Sequence, residues 1–425
     1  MIPAICIGFA GLLLAGMPIA VILAVTTAMG LVFFTSTPLH IIPQQLFNAL
    51  DKFVLLAIPF FILAGAIMTR GSIAKRLVAF VNALVGWFPG GLAMAGILAC
   101  IFFAAISGSS PATVVAIGSV MIPALIKGGY EERFSLGLIT VSGSLGIVIP
   151  PSIPMILYCL VMNVSVAEMF MAGVLPGLLI GACLMVHTFL VARKHDWRIE
   201  TRASLSEVVR TAKEGSWALF LPFIVLGGIY SGIFTPTEAA AVSVVYALGV
   251  EMFIYREFGF REITPICREA AVLSACLLFI LSCAMTFIWL LTAEQIPQQL
   301  ADIIIQHISS PWMFLLTVNI LFLILGCFMD DVSAMLILAP IFLETLNRYQ
   351  IDLVHFGVVM VLNIQLGMLT PPFGLNLFVS SGITGKPLMT IARGVVPFLA
   401  IMLLCLLVIT YVPWISLILP DLLLR

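Results

Sequence analysis

Two short interruptions of an otherwise apolar chain recur at the same spacing in both halves of the sequence. Ser109-Ser110 stands 41 residues ahead of Pro150-Pro151, and Asp330-Asp331 stands 41 residues ahead of Pro371-Pro372. A glycine, Gly146 or Gly367, lies four positions before each first proline. Polar residues and paired prolines inside hydrophobic segments expose backbone groups that lipid cannot satisfy, so they are tolerated only where they line a buried cavity. Interruptions at matching places in two halves point to a midplane binding site of a secondary carrier.

Composition agrees with that class. The 425 residues are 62% hydrophobic and 9% charged, against roughly 25% charged in soluble domains. The mean hydropathy is +1.22. A net charge of −1 offers no basic surface for nucleic acid, and the expected surroundings are a lipid bilayer. The nine cysteines are scattered, with no CxxC pair and no histidine cluster, which argues against a disulfide framework or a transition-metal site. The opening MIPAICIGFAGLLLAG lacks a basic leader and reads as a membrane segment rather than a cleaved signal.

A crossing needs ~20 apolar residues. Runs between Ile2–Phe34 and Ile391–Leu419 give about eleven candidates by that criterion. Shorter runs, Thr113–Ile126 and Ser333–Leu346, follow the polar blocks directly and read as returning arms of re-entrant hairpins. Arg193, Lys194, Arg198, Arg202, Arg210 and Lys213 place the stretch from Arg193 to Glu214 in the cytoplasm, and the N-terminus is expected outside.

The repetition extends past the two blocks. Pro18 matches Pro236 and Ile62-Leu63 matches Ile280-Leu281 at an offset of 218; Ile73, Leu77, Phe80 and Val81 match Ile296, Leu300, Ile303 and Ile304 at 223. The last two sets carry the i, i+4, i+7, i+8 stripe of an amphipathic helix able to lie flat at the bilayer surface. The expected fold is an all-α polytopic membrane protein with two inverted repeats, each holding a re-entrant hairpin and a helix broken at Pro-Pro. Residues 1–192 form the first repeat, with its hairpin at about 90–126 and broken helix at about 134–162. A cytoplasmic linker covers 193–215, and residues 216–425 form the second repeat, with a hairpin at about 311–346 and a broken helix at about 354–380.

The chemistry belongs at the hairpin tips. In SGSSPAT the hydroxyls of Ser107, Ser109 and Ser110 are oxygen ligands. In GIVIPP each proline lacks an N–H and leaves upstream carbonyls unpartnered. Hydroxyls and carbonyls together make an oxygen cage suited to a hard cation such as Na⁺. The second half sets Asp330 against GMLTPP with the Thr370 hydroxyl, and an acid inside a membrane is a functional hypothesis by default. Blander readings stand beside these: serines and glycines permit close helix packing, a lone Pro-Pro is a kink, and Asp330 alone is a helix cap. Thr235-Pro236-Thr237-Glu238 reads as a structural capping box. His40, His187, His195, His307 and His355 lack any partner pattern, and Arg393 reads as a snorkelling end charge.

Over essentially its whole length the sequence resembles the large membrane subunit of tripartite ATP-independent periplasmic (TRAP) transporters. The carrying stretches are LLAIPFFILAGAIM, FFAAISGSSPATVVAIGS, GSLGIVIPPSIPMILY, GIFTPTEAAA and IQLGMLTPPFGLNLF. The resemblance implies an elevator-type carrier of the bacterial inner membrane, driven by a Na⁺ gradient, with no organic cofactor. It implies two partners, a small TRAP membrane subunit and a periplasmic substrate-binding protein. One sodium site carried over from the family uses Ser107 and Ser109 with the backbone of Gly146, Ile149 and Pro151. The other uses Asp330 with Gly367, Thr370 and Pro372.

The family's substrates are small organic acids, commonly C4-dicarboxylates, sialic acid or sugar acids. MLTPPFGLNLFVSSGITG with SGSSPAT is most similar to the C4-dicarboxylate branch, so a succinate-like acid is expected near Ser110, Ser152, Thr370 and Asn376. Asp331 after Asp330, and Gln365 where an acid is common, depart from that pattern. A stand-alone carboxylate–Na⁺ symporter of the same architecture is the alternative carrier. An intramembrane aspartyl enzyme is disfavoured, because adjacent Asp330 and Asp331 point ~100° apart on a helix; no catalytic residue is expected.

Overall fold

A computed structural model of the chain describes residues 2–195, 197, 203–308, 310–327, 329–371 and 374–424. Its helices in the first half are α1 (Ile2–Leu14), α2 (Ile19–Phe34), α3 (Ile41–Leu50), α4 (Ala57–Arg70), α5 (Ile73–Val85), α6 (Gly91–Ser107), α7 (Ser110–Lys127), α8 (Glu132–Gly143), α9 (Ile153–Met162) and α10 (Val166–Ala192). Those in the second half are α11 (Leu205–Tyr230), α12 (Pro236–Gly249), α13 (Phe260–Ala293), α14 (Ile296–His307), α15 (Pro311–Gly326), α16 (Asp331–Arg348), α17 (Leu353–Gly367), α18 (Leu375–Thr384), α19 (Leu388–Tyr411) and α20 (Trp414–Leu423).

Sequence chemistry sets where these helices start. Ser109, Ser152, Ser165, Ser204, Thr235, Asp330 and Asp352 each accept a backbone N–H of the helix that follows. Such caps satisfy donors that have no partner within the helix. Thr235 and Glu238 form the reciprocal capping box that their spacing predicts.

Among the described residues, seven helices are long and apolar enough to cross a membrane, or eight counting one bent pair. The expected eleven runs exceed that number because prolines and glycines divide several of them. Gly16 at φ 72° and Pro18 separate α1 from α2, and the run from Phe134 to Met162 breaks between α8 and α9. The resulting shorter apolar helices include α2, α6, α9, α17, α18 and α20. The two predicted amphipathic stripes are the helices α5 and α14, and α14 turns by 117° into α15. Within the polar stretch after Arg193, the chain is already helical from Leu205.

Helix pairings come in matched sets. α2 packs on α13 and α12 on α4; α4 on α7 and α13 on α16; α7 on α18 and α16 on α9; α8 on α19 and α17 on α10. The centre of the molecule is the pair of interrupted segments, since every residue from 135 to 159 and from 354 to 369 is buried. Helices apolar all round must lie inside the bundle. Outward positions such as Phe223, Val245, Phe279 and Leu404 are exposed apolar side chains, the surface that a bilayer covers.

Candidate functional site

The first tip is built from a glycine turn and a serine cap. α6 ends at Gly108, which adopts φ 61°, and Ser109 then caps α7 by accepting Ala112 N–H at 3.5 Å. Ser107 Oγ lies 2.9 Å from Thr113 Oγ1, and Thr113 Oγ1 donates to the Ser109 carbonyl at 2.9 Å. The second segment closes directly on this turn. A Cβ on Gly146 would sit 2.5 Å from Ser109 O and 2.7 Å from Thr113 Oγ1, and one on Gly108 would sit 2.8 Å from Pro151 O. Only glycine permits these approaches.

Ser107, Ser109, Gly146 and Pro151 therefore share one locus. Ile149, expected to act through its backbone, donates its N–H to Leu145 O and packs its side chain against Gly177 of α10. Thr113 belongs to the same hydroxyl cluster and was not singled out from the sequence. The available signal was its position in the first turn of α7, one turn beyond the Ser109 cap.

The second tip has the same build with a carboxylate in place of the serine. Asp330 caps α16, accepting Ser333 N–H at 3.0 Å, and Asp331 accepts Val332 N–H at 3.0 Å. The facing segment approaches through glycines, since a Cβ on Gly367 would lie 2.4 Å from the carbonyl carbon of Gly326. Thr370 Oγ1 donates to Leu366 O at 2.9 Å, and Thr370 N–H donates to Gly367 O at 2.9 Å. Pro372 lies outside the described residues. Ser333 is a further polar residue that sequence reasoning missed: it is fully buried, and its Oγ has no hydrogen-bond partner among the described residues. Its place at N3 behind an aspartate cap was the signal.

Of the residues expected around a carboxylate substrate, Ser110 and Asn376 meet across the two halves. Asn376 Nδ2 donates to Ser110 Oγ at 2.6 Å, joining α18 of the second half to the start of α7. Both residues are fully buried, and Asn376 Oδ1 lacks a partner among the described residues. Ser152 Oγ donates to Ile147 O at 2.7 Å and caps α9, next to the Gly108–Pro151 contact. Further links between the halves are Thr140 Oγ1 to Ser380 Oγ at 2.6 Å and Gln365 Nε2 to Ser144 Oγ at 2.5 Å. The ligand set is neutral oxygen at the first tip and, at the second, oxygen with the adjacent carboxylates of Asp330 and Asp331. Oxygen ligands of this kind suit hard cations, and helix starts such as those of α7, α9, α16 and α18 favour anions.

Residues 6–415 match the family described as "Tripartite ATP-independent periplasmic transporter, DctM component". The chain is 47% identical to the C4-dicarboxylate TRAP transporter large permease protein DctM of Pseudomonas aeruginosa, over 94% of this chain and 93% of that one. It is 46% identical to the protein of the same description from Rhodobacter capsulatus, over 97% of each. In fold it is similar to the Alcanivorax borkumensis YdaH transporter, with a TM-score of 0.66 at 14% identity, covering 96% of this chain and 98% of that one. The chain belongs to the DctM-component family: it is a large permease of a TRAP transporter and a multi-pass protein of the inner membrane.

Proposed function

We propose that this permease carries a C4-dicarboxylate into the cell, coupled to Na⁺ flowing down its gradient. The observation that carries the reading is the Asn376–Ser110 bond, which joins the first oxygen-lined turn to α18 of the second half. Cations held by Ser107, Ser109 and the Gly146–Pro151 backbone, and by Asp330 with Gly367 and Thr370, order the two turns. The Asn376 carboxamide, the Ser110 and Ser152 hydroxyls and the adjoining helix starts then receive the acid. Thr113 and the unpaired Ser333 hydroxyl add oxygen ligands of the right type to each cage. Ion and substrate are coupled because both bind the same ordered state better than any other. Two relatives at 46–47% identity are described as C4-dicarboxylate TRAP transporter large permeases, which supports the substrate class.

The two halves form inverted repeats in this reading, with α5 and α14 as surface arms connecting outer helices to hairpins that move as an elevator. A tripartite large permease requires a small membrane subunit and a periplasmic binding protein, so the exposed apolar flanks include a docking face for the first. The test is uptake into proteoliposomes containing all three components. Uptake of a C4-dicarboxylate should require an inward Na⁺ gradient. Equal uptake with K⁺ or choline replacing Na⁺ on both sides would remove the coupling claim, and transport of free substrate by this chain alone would favour a stand-alone symporter.

A further inference from the structure

The start of the first arm holds a carboxylate that neither oxygen-lined turn uses. Glu251 is 0% exposed and sits on a π-helical turn, Val250–Ile254, that continues α12. Such turns are rare and frequently occur at functional sites. Glu251 Oε1 accepts Ile73 N–H at 3.0 Å and Oε2 accepts Ser72 N–H at 3.1 Å. These are donors at the N-terminus of α5 that have no partner within the helix. A carboxylate supplied by a distant helix thus caps the arm, with its charge against the positive end of the helix dipole.

The surroundings are fitted to that contact. Ser72, at the usual capping position, makes no side-chain cap bond among the described residues and accepts Arg76 Nε at 3.1 Å instead. Gly71 leaves the space the carboxylate fills, since a Cβ there would lie 2.0 Å from Glu251 Oε1. The Arg76 guanidinium stacks 4.1 Å from the Tyr255 ring centre and lies 4.0 Å from Glu257. Tyr255 Oη donates to Glu214 O of α11 at 2.8 Å. The N-terminus of α5 is therefore fastened to the corner formed by α11 and α12.

The other end of the arm is a tight glycine turn. After α5, the segment Gly86–Gly90 turns with Gly90 at φ 73° before α6 begins at Gly91. The second arm is held differently. Gln295 precedes α14 at φ 54° without a side-chain cap among the described residues, and Asp302 of α14 pairs with Arg348 of α16 at 2.6 Å. Both arms also pack along a hairpin, α5 on α6 and α7 and α14 on α16, but only α5 has its N-terminus capped by a carboxylate from an outer helix among the described residues.

We propose that Glu251 is the pivot of the first arm: a positioning residue that holds the start of α5 on α12 while the α6–α7 hairpin swings about the Gly86–Gly91 turn. The inference rests on the carrier reading above, and it concerns the rate of the conformational step rather than ion or substrate binding.

The complete transporter, reconstituted with its companion subunits, is compared as wild type, Glu251→Gln, Glu251→Ala, Gly71→Ala and the double variant Gly71→Ala/Glu251→Ala. Uptake is expressed per carrier able to bind substrate, so that unfolded protein does not count. Glu251→Ala should lower the maximal rate about tenfold, the scale of losing charge-assisted hydrogen bonds, with half-saturating Na⁺ and substrate changed less than about twofold, because Glu251 contacts neither turn and distant sites act nearly independently. Glu251→Gln keeps shape and one acceptor, and should lose about threefold in rate; it carries the test if Glu251→Ala fails to fold. Gly71→Ala should slow the wild type but add nothing to Glu251→Ala, because its methyl enters the vacated space. A wild-type rate per binding carrier in both Glu251 variants, a parallel shift of the half-saturation constants, or additive loss in the double variant would each overturn the pivot. An inactive wild type would instead count against the carrier reading.

Discussion

The Gln365 carboxamide donates to the Ser144 hydroxyl at 2.5 Å, and these two residues are 221 positions apart. The same offset relates Gly146 to Gly367 and Ser109 to Asp330. Residues that correspond in two copies of a repeat touch each other only where the axis relating the copies passes between them. The paired packing of α7 on α18 and α16 on α9 has the same form, since each side of one contact has its counterpart in the other. This contact at corresponding positions supports the reading of two repeats related by an axis through the buried centre.

Removing one member of that pair should cost more than removing both. Ser144→Ala strands the Gln365 carboxamide, with a loss of about 1–3 kcal/mol for an unsatisfied buried polar group, while Gln365→Leu costs less, because Ser144 Oγ still donates to Val141 O at 2.6 Å. The double variant leaves an apolar contact and should be less destabilised than the two singles added together. Thermal unfolding of the four purified proteins gives the coupling energy; strict additivity would show that the bond contributes nothing to holding the halves together.

Sodium dependence should separate the ion reading of the turns from a capping role. Asp330→Asn preserves size and one oxygen but removes the charge, so the half-saturating Na⁺ concentration should rise about tenfold or more, the scale of a lost charge-assisted ligand. Ser109→Ala should shift it in the same direction by less, because a neutral ligand is lost. Glu238→Gln is the control, since Glu238 is exposed and engaged in a capping box. Lowered stability with unchanged Na⁺ dependence in the Asp330 variant, or a shift in the control alone, would place the ion elsewhere.

The glycines at the two close approaches should be intolerant of a single methyl. Gly146→Ala drives a Cβ into the Ser109 carbonyl and Gly367→Ala into the Gly326 backbone. Backbone cannot move aside as a flexible side chain does, so each should cost about 1–3 kcal/mol or displace the turn. Gly227→Ala is the comparison: nothing lies within 4 Å of its added methyl, and it sits inside α11, where alanine is preferred by about 1 kcal/mol. Melting temperatures that fall equally for all three substitutions would show that the approaches are not tight.

The main interruptions were legible in the sequence because membrane physics makes them conspicuous: Ser109, Asp330 and the Pro-Pro pairs stand in runs where any polar or proline residue needs a reason. The amphipathic stripes of α5 and α14 were legible from their period. The number of crossings was less so, because hydropathy cannot show that Gly16 and Pro18 turn one long run into two helices. Thr113 and Ser333 were missed since a single hydroxyl inside a helix usually bonds its own backbone, as Thr27 does to Leu23 O and Thr286 to Ser282 O. Glu251 was invisible for another reason. Its partners, Ser72 and Ile73, are 179 and 178 residues away and contribute backbone, which carries no sequence signature.

The Asn376–Ser110 bond supplies the sharpest test of where the acid binds. In the structure the carboxamide gives one hydrogen to Ser110, while its oxygen is buried and unpaired among the described residues. A side chain so placed can turn its donors toward a carboxylate once one arrives, leaving the Ser110 hydroxyl free to donate as well. Asn376→Ala should therefore raise the half-saturating C4-dicarboxylate concentration about tenfold or more, the scale of a hydrogen bond to a charged group. Ser110→Ala should raise it by a smaller factor, and the double variant should fall short of the product because the two act on one ligand. Half-saturating Na⁺ at saturating substrate should stay within about twofold of wild type, since neither residue belongs to the cages. If Asn376→Ala moves the Na⁺ curve and leaves the substrate curve in place, the carboxamide belongs to an ion cage and the acid binds elsewhere between the halves.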